Sequence, residues 1–458
     1  MKRLGGMTPR QRRTLAAYAI LAGLVVAWST PARAEETPPY RFDFGPGSVE
    51  AGFRQVLPAT LYSDQLGYGF EPGAALEGVD GGGGTDALRG DCIASNRPFF
   101  FSVKVPAEGN YRVTVTLGDA KAESTTTIKA ELRRLMIEKV HLAAGQFETV
   151  SFIVNVRTPV IAERDGILAG KVKLKEPRES VQEAWGWDDR LTLEFGNARP
   201  AVCGIEIAPV PDAATIFLLG DSTVCDQSRE PYASWGQMFT RFFRDPVAVA
   251  NHGESGETYR DAVARRRVDK ILSVMQPGDL VVLEFGHNDQ KQIAAGTGGP
   301  FTTFKDEIRR CVASVRRYGG VPVLVTPVER REFDAQGHIK PSLADYAEAV
   351  RQSAKELRTA FIDLNAMSRK FYEALGPEGS KAAFASPEPG KVDNTHHNNY
   401  GAYELAKCVA QRFKEIQFRA SVYLAEDFQG FDPGHPDPVD AFAVPPTPLV
   451  ASEKPLGN

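Results

Sequence analysis

Four short stretches in the second half of the chain hold the residue types needed to cleave an ester. They are Gly220-Asp221-Ser222-Thr223, Gly253-Glu254-Ser255-Gly256, Gly286-His287-Asn288-Asp289 and Asp393-Asn394-Thr395-His396. Ser222 offers a hydroxyl that becomes a useful nucleophile only when a base takes its proton. His396 is the candidate base. Asp393 precedes it by the Asp-x-x-His spacing, which brings a carboxylate beside the ring in one turn and can fix the ring tautomer. His397 is the neighbour that could be mistaken for the base. Gly256 lets the backbone approach a ligand closely, and Asn288 carries an amide that can donate to an anionic oxygen. With the Ser222 backbone N–H they form a candidate oxyanion hole. Each piece also has an ordinary reading. Asp-Ser-Thr is a good helix start, Gly256 can be a plain turn glycine, Asn288 a satisfied turn amide, and a single DxxH a surface loop.

The elements that must position these groups follow from periodicity. Thr215–Leu219, Val247–Ala250, Leu280–Phe285, Val321–Thr326 and Ala360–Leu364 are short apolar runs, and helical patterns such as Phe304–Tyr318 and Asp345–Leu357 lie between them. Strands alternating with helices predict a parallel sheet covered on both faces. Sites in such sheets lie at the carboxyl ends of the strands, where the first three motifs fall. Ser222 is expected at a strand-to-helix turn, and a helix beginning near Tyr400 should fix the loop that carries His396. Trp235 reads as a core aromatic in preference to a sugar-stacking platform.

Upstream the pattern is different. Phe99–Val105 and Tyr111–Leu117 flank a Pro/Gly/Asn turn, and the second run alternates with period 2. Further runs at Thr126–Leu132, Glu148–Val156, Leu191–Phe195 and Ile205–Ala208 predict a β-sandwich, with Gly81–Gly84 as a flexible loop. Such a module is either carbohydrate-binding or a spacer or lid against the enzyme. Pro209-Val210-Pro211 marks its end. From about Asp427 the repeated prolines exclude a long helix or a central strand, so an extended or disordered tail is expected.

The 458 residues are too many for one ordinary domain. The first 34 begin with Lys2, Arg3, Arg10, Arg12 and Arg13, continue with an apolar run from Leu15 to Trp28 and end in Ala32-Arg33-Ala34. That is the pattern of a secretory signal cleaved after Ala34. An uncleaved anchor is the alternative, although the run is short for a membrane span. The expected location is therefore periplasmic or extracellular, with no stable membrane span after cleavage. The segment carries six cations and no anion, so without it the net charge goes from −4 to −10. Neither value suggests a nucleic-acid partner. Cys92, Cys203, Cys225, Cys311 and Cys408 show no metal-ligand spacing and read mainly as buried small hydrophobes.

Taken in order, GDS, a glycine block, GHND and DxxH resemble the blocks of the SGNH (GDSL-type) hydrolases over about residues 213 to 420. The wording Gly220-Asp221-Ser222-Thr223-Val224, Asn251 through Tyr259, Phe285 through Asp289, and Thr326-Pro327-Val328-Glu329-Arg330-Arg331 is similar to the rhamnogalacturonan acetylesterase branch. The upstream region resembles the galactose-binding-like sandwich attached to some bacterial members. In the last block Asn394 follows the Asp, where Gly is common. The resemblance implies a three-layer α/β/α, flavodoxin-like parallel sheet preceded by an all-β sandwich. The segments are then a signal (1–34), a carbohydrate-binding-module-like sandwich (35–210), the hydrolase (213–425) and a Pro-rich tail (426–458). It implies a triad of Ser222, Asp393 and His396, oxyanion donors at Ser222, Gly256 and Asn288, and no metal or cofactor. The substrate implied is an acetylated acidic polysaccharide, and the expected assembly is a monomer. Arg330 and Arg331 follow a strand on the side of the site and are candidates to meet a uronate carboxylate. An acetylxylan esterase, a general GDSL-type esterase or lipase, and a non-catalytic carbohydrate-binding protein are the alternatives.

Overall fold

The computed structural model describes residues 40–82 and 86–448. All of them fall in one compact unit, Pro38–Asn458. The signal assigned to residues 1–34, part of the Gly81–Gly84 loop and the last ten residues lie outside the described residues. No helix among the described residues is long and apolar enough to cross a membrane.

Five strands form the parallel sheet: β1 (Ala214–Gly220), β2 (Val247–Asn251), β3 (Leu280–Glu284), β4 (Val321–Val325) and β5 (Ala360–Ile362), in the order β2-β1-β3-β4-β5. This is the flavodoxin-like order. Because side chains alternate across a strand, β1 feeds two cores. Ile216 and Leu218 pack with Trp235, Phe239 and the helix Asn399–Ile416, whereas Phe217 and Leu219 pack with the helices Lys305–Arg317 and Ala344–Leu357. The two cores make the three layers. Register places Leu219 opposite Leu283 and Gly220 opposite Glu284, so the loops after β1 and β3 leave the sheet side by side. A Cβ at Gly220 would lie 2.5 Å from the Glu284 carbonyl, so only glycine permits this approach.

The upstream region is a sandwich of a seven-stranded and a five-stranded sheet around an apolar core that includes Phe42, Phe101, Val113, Leu193 and Ile205. Two parts of the chain depart from simple layering. Within the stretch assigned to the sandwich, Ile161, Ile167, Val172 and Trp187 pack on the outer helical layer of the hydrolase. The hairpin joining Ser124–Ala130 to Arg134–Leu142 also docks on the hydrolase. At its tip Glu131 and Arg133 have φ of 55° and 64°. All five cysteines are buried and unbridged.

The tail is extended and packed through residue 448. Phe428, Phe431, Phe442 and Val444 lie against the hydrolase core. Beyond them Thr447 reaches the sandwich, where its hydroxyl donates to Glu194 at 2.7 Å and accepts from Lys129 Nζ at 2.9 Å. Lys129 also donates to the Pro445 carbonyl at 2.8 Å. Lys129 and Glu194 are buried, and such charges require every partner they have. Thr447→Val is expected to lower stability by about 1–3 kcal/mol, the cost of stranding a buried polar group, measured as a shift of the urea midpoint against wild type.

Candidate active site

Ser222 lies in the turn that leaves β1. The turn does not run directly into a helix, since the first helix begins at Trp235, capped by Ser234. The intervening loop is held by side chains. Asp221 Oδ1 accepts from the Thr223 N–H at 3.0 Å and lies 3.0 Å from the Thr223 hydroxyl. Burial pushes the Asp221 carboxyl up, but His287, with Nδ1 3.4 Å from Asp221 Oδ2, and the Thr223 bonds outweigh it and hold it below its ordinary value. Next to it Glu284, at the end of β3, accepts from the Trp235 indole and from the Val328 N–H at 3.0 Å, and lies 3.1 Å from the Thr223 hydroxyl. Burial and the charge of Asp221 push the Glu284 carboxyl up, toward its neutral form. The two neighbouring carboxyls are thus driven apart, Asp221 toward its charged form and Glu284 toward its neutral one. Trp235 is fully buried in this network.

The loop before the helix Asn399–Ile416 brings the last block to Ser222. His396 Nε2 is 2.9 Å from Ser222 Oγ, and His396 Nδ1 is 3.1 Å from Asp393 Oδ2. Asp393 Oδ1 accepts the backbone N–H groups of Thr395 at 2.7 Å and His396 at 3.0 Å. Burial would raise the Asp393 carboxyl, but these bonds and the ring hold it well below the usual carboxylate range. An ionised carboxylate only accepts. The Nδ1 of His396 must therefore carry the proton, and in the neutral ring the Nε2 lone pair faces the serine. Ser222 and His396 are only 2% and 1% exposed, and Tyr232 stands edge-on to the His396 ring at 5.9 Å.

Gly256 has φ +75°, a conformation that favours glycine. Among the described residues, neither its N–H nor that of Ser222 has an acceptor within the chain. Asn288 Nδ2 donates to the Glu257 carbonyl at 3.1 Å, which uses one of its two N–H bonds. Arg330 donates to Gln290 Oε1 at 3.0 Å and Ser342 Oγ at 3.3 Å. Arg331 anchors the loop of Asp393: its backbone N–H donates to the Asn394 carbonyl at 2.7 Å and its guanidinium to Asn394 Oδ1 at 2.9 Å. Both arginines are thus engaged within the protein.

Several supporting residues carry no motif. Gln227 Nε2 donates to the Ser222 carbonyl at 2.8 Å and to Ser255 Oγ at 3.2 Å. Arg178, far upstream, reaches the same Ser255 hydroxyl at 3.0 Å. Arg133 on the sandwich hairpin donates to the carbonyls of Gln227 at 3.0 Å and Tyr232 at 2.7 Å, and Arg134 pairs with Asp226 at 2.7 Å. Only Glu284 left a signal in the sequence, as a lone carboxylate within the apolar run Leu280–Phe285.

Residues 218–402 match the GDSL-like lipase/acylhydrolase family, and residues 40–145 match the beta-agarase/YXIM esterase-like, galactose-binding domain-like family. Rhamnogalacturonan acetylesterase RhgT of Bacillus subtilis (strain 168) is 40% identical over 211 residues, which cover 44% of this chain and 90% of that protein. The chain belongs to the GDSL-like lipase/acylhydrolase family. It is accordingly a carboxylic ester hydrolase with a galactose-binding-like β domain in front. The uncharacterized esterase YxiM of the same Bacillus is 26% identical over 398 residues, 83% of this chain and 92% of that one. The rhamnogalacturonan acetylesterase of Emericella nidulans is 26% identical over 230 residues, covering 45% and 87%.

In this GDSL-family chain the second histidine of the block is structural. His397 is buried, its Nε2 lies 2.7 Å from the Tyr372 hydroxyl, and its carbonyl accepts from Ala233 N–H at 2.8 Å. Burial, and then the neighbouring His396, push it down to about 3. An unfolded histidine titrates near about 6.5, so unfolding takes up a proton anywhere between these values. Its contribution to stability is whole above that range and is lost as pH falls from about 6.5 toward about 3. His397→Gln is expected to flatten the fall of the urea midpoint across this window, and an unchanged slope would assign the effect to other groups.

Proposed function

We propose that the chain is an exported serine acetylesterase that removes O-acetyl groups from plant cell-wall polysaccharide, with rhamnogalacturonan as the main substrate. The observation that carries the reading is the Ser222–His396–Asp393 line at 2.9 and 3.1 Å. With it go two backbone N–H groups, of Ser222 and Gly256, that have no acceptor among the described residues, and a 211-residue stretch 40% identical to a rhamnogalacturonan acetylesterase, covering 90% of that protein. The near-complete burial of Ser222 supports a small acyl group over a long one. Export rests on the basic start and apolar run of the first 34 residues.

In the proposed mechanism His396 Nε2 takes the Ser222 proton as Oγ attacks the acetyl carbonyl. Asp393 stabilises the imidazolium that forms. The oxyanion is met by the N–H groups of Ser222 and Gly256 and by the Asn288 amide. The imidazolium then protonates the sugar oxygen, which leaves, and water attacks the acetyl-enzyme by the same route in reverse. Arg331, beside the Asp393 loop, and Arg330 are the cations proposed to meet a uronate carboxylate.

The test is acetate release from acetylated pectin, with acetylated xylan beside it, by wild type and Ser222→Ala. Wild type should release acetate preferentially from pectin, and the variant should lose about 10⁶-fold in kcat, the scale for removing a triad serine. An active Ser222→Ala would end the mechanism. Preference for xylan, or activity confined to small esters, would end the substrate assignment alone. Arg331→Ala should weaken release from the acidic polymer more than hydrolysis of a neutral acetyl ester, and equal effects would remove its recognition role.

A further inference from the structure

Every donor in the proposed oxyanion hole belongs to an amide whose oxygen is itself bonded. The Ser222 N–H shares its peptide with the Asp221 carbonyl, which accepts from Val224 N–H at 3.0 Å and Cys225 N–H at 2.9 Å. The Asn288 side chain accepts at Oδ1 from Lys291 Nζ at 3.3 Å. The Gly256 N–H shares its peptide with the Ser255 carbonyl, and that oxygen accepts from the ammonium of Lys175. A donor at the oxygen end of an amide draws electrons toward the oxygen and leaves the N–H more positive, since linked hydrogen bonds polarise one another. An ammonium does this more strongly than a neutral N–H.

The Lys175 arrangement is built, not incidental. The side chain is 13% exposed and lies 3.9 Å from Glu254 Oε1 and Glu257 Oε1. Its backbone N–H donates to Glu179 Oε2 at 2.8 Å, and Glu179 is clamped by Arg267 at 2.9 and 2.6 Å. Arg178, three residues on, holds the Ser255 hydroxyl. Two cations from one upstream segment therefore grip the residue before Gly256. This matters because a glycine at positive φ resists rotation of the preceding peptide poorly, and a rotated peptide would present its carbonyl, not its N–H, to the site. Lys175 lies between the two family-matched regions, so neither accounts for it.

We propose that Lys175 is a positioning residue for the esterase reaction: its ammonium, bonded to the Ser255 carbonyl, orients and polarises the Ser255–Gly256 peptide so that the Gly256 N–H stabilises the developing oxyanion. The inference rests on the serine-esterase reading of the same site. It gives the segment upstream of the hydrolase a part in the transition state exerted through the Ser255–Gly256 peptide.

The test uses the full chain and 4-nitrophenyl acetate, with urea midpoints recorded for every variant. Lys175→Met should lower kcat roughly tenfold, a fraction of the about 10²–10³ lost with a whole oxyanion donor, and leave KM within about twofold, since the contact strengthens in the transition state. Lys175→Cys should show the same loss. Treatment with 2-bromoethylamine restores an ammonium at nearly the same reach and should restore most of kcat, with identically treated wild type as control. A Lys175→Met enzyme with wild-type kcat would overturn the inference. So would a loss that the restored ammonium does not reverse, or one expressed only in KM or in the urea midpoint. Ser222→Ala, assayed alongside, separates the two levels. If it is inactive while Lys175→Met is fully active, only the role of Lys175 fails; if it is active, the esterase reading itself fails.

Discussion

The site depends on a buried ionic seam between the β-sandwich hairpin and the loop that follows Ser222. That loop runs from the turn after β1 to Ser234 without a helix of its own. Its backbone carbonyls at Gln227 and Tyr232 are taken by the Arg133 guanidinium, which also pairs with Glu230 at 2.5 Å, and Asp226 is taken by Arg134. Arg134 and Asp226 are each 2% exposed. Removing one partner from such a pair typically costs about 3–5 kcal/mol, because the other charge is left dry. The sandwich is therefore part of the scaffold of the hydrolase site. It sets the position of Gln227, and through Gln227 the carbonyl of Ser222 and the hydroxyl of Ser255.

A second constraint lies at the sheet edge. The register of β1 against β3 places Gly220 beside Glu284, and two carboxyl groups, Asp221 and Glu284, meet there in a dry environment. Their surroundings push the two in opposite directions, Asp221 toward its charged form and Glu284 toward its neutral one. That division eases the repulsion between two adjacent carboxyls behind Ser222 while Glu284 shares Thr223, Trp235 and Val328. The Thr223 hydroxyl sits between the two acids, so the turn holding Ser222 is fixed from the sheet side as well as from the sandwich side.

Much of this was legible in the sequence, for physical reasons. Apolar runs in central parallel strands are nearly continuous because both faces are buried, and β1, β2, β3 and β4 fall within a residue or two of the runs read from composition. Loop chemistry at strand ends was legible because Gly220, Gly256 and the Asp-x-x-His spacing are local signals. What could not be read were partners joined by the fold alone. Arg133 reaches Asn399, and Arg178 reaches Ser255, across sequence separations that no periodicity spans. The strand-to-helix turn expected at Ser222 is a long loop because the hairpin, rather than a helix start, satisfies its polar groups. The tail was read as extended or disordered from its prolines. Phe428, Phe431 and Phe442 among those prolines supply the apolar contacts that pin it down.

The placement of the arginines ties recognition to catalysis under the proposed function. Without the first 34 residues the chain carries a net charge of −10, and an acidic polymer would approach such a surface against a long-range repulsion that salt screens. Attraction must then come from a few cations close to the site. Arg331 is suited to this because its hold on the Asp393 loop is double. If its guanidinium turned to a uronate, the bond to Asn394 Oδ1 would be exchanged, while the backbone bond from Arg331 N–H to the Asn394 carbonyl would remain. The loop that orients His396 would keep its anchor, and the planar fork of an arginine matches a carboxylate in a way a lysine cannot. Lys175 and Lys291 sit behind the proposed oxyanion donors, each on the oxygen side of its amide. Under the proposed function the site would thus use positive charge in two ways: Arg330 and Arg331 toward a substrate carboxylate, and Lys175 and Lys291 through the peptide and amide groups they bond, on the charge that develops during reaction.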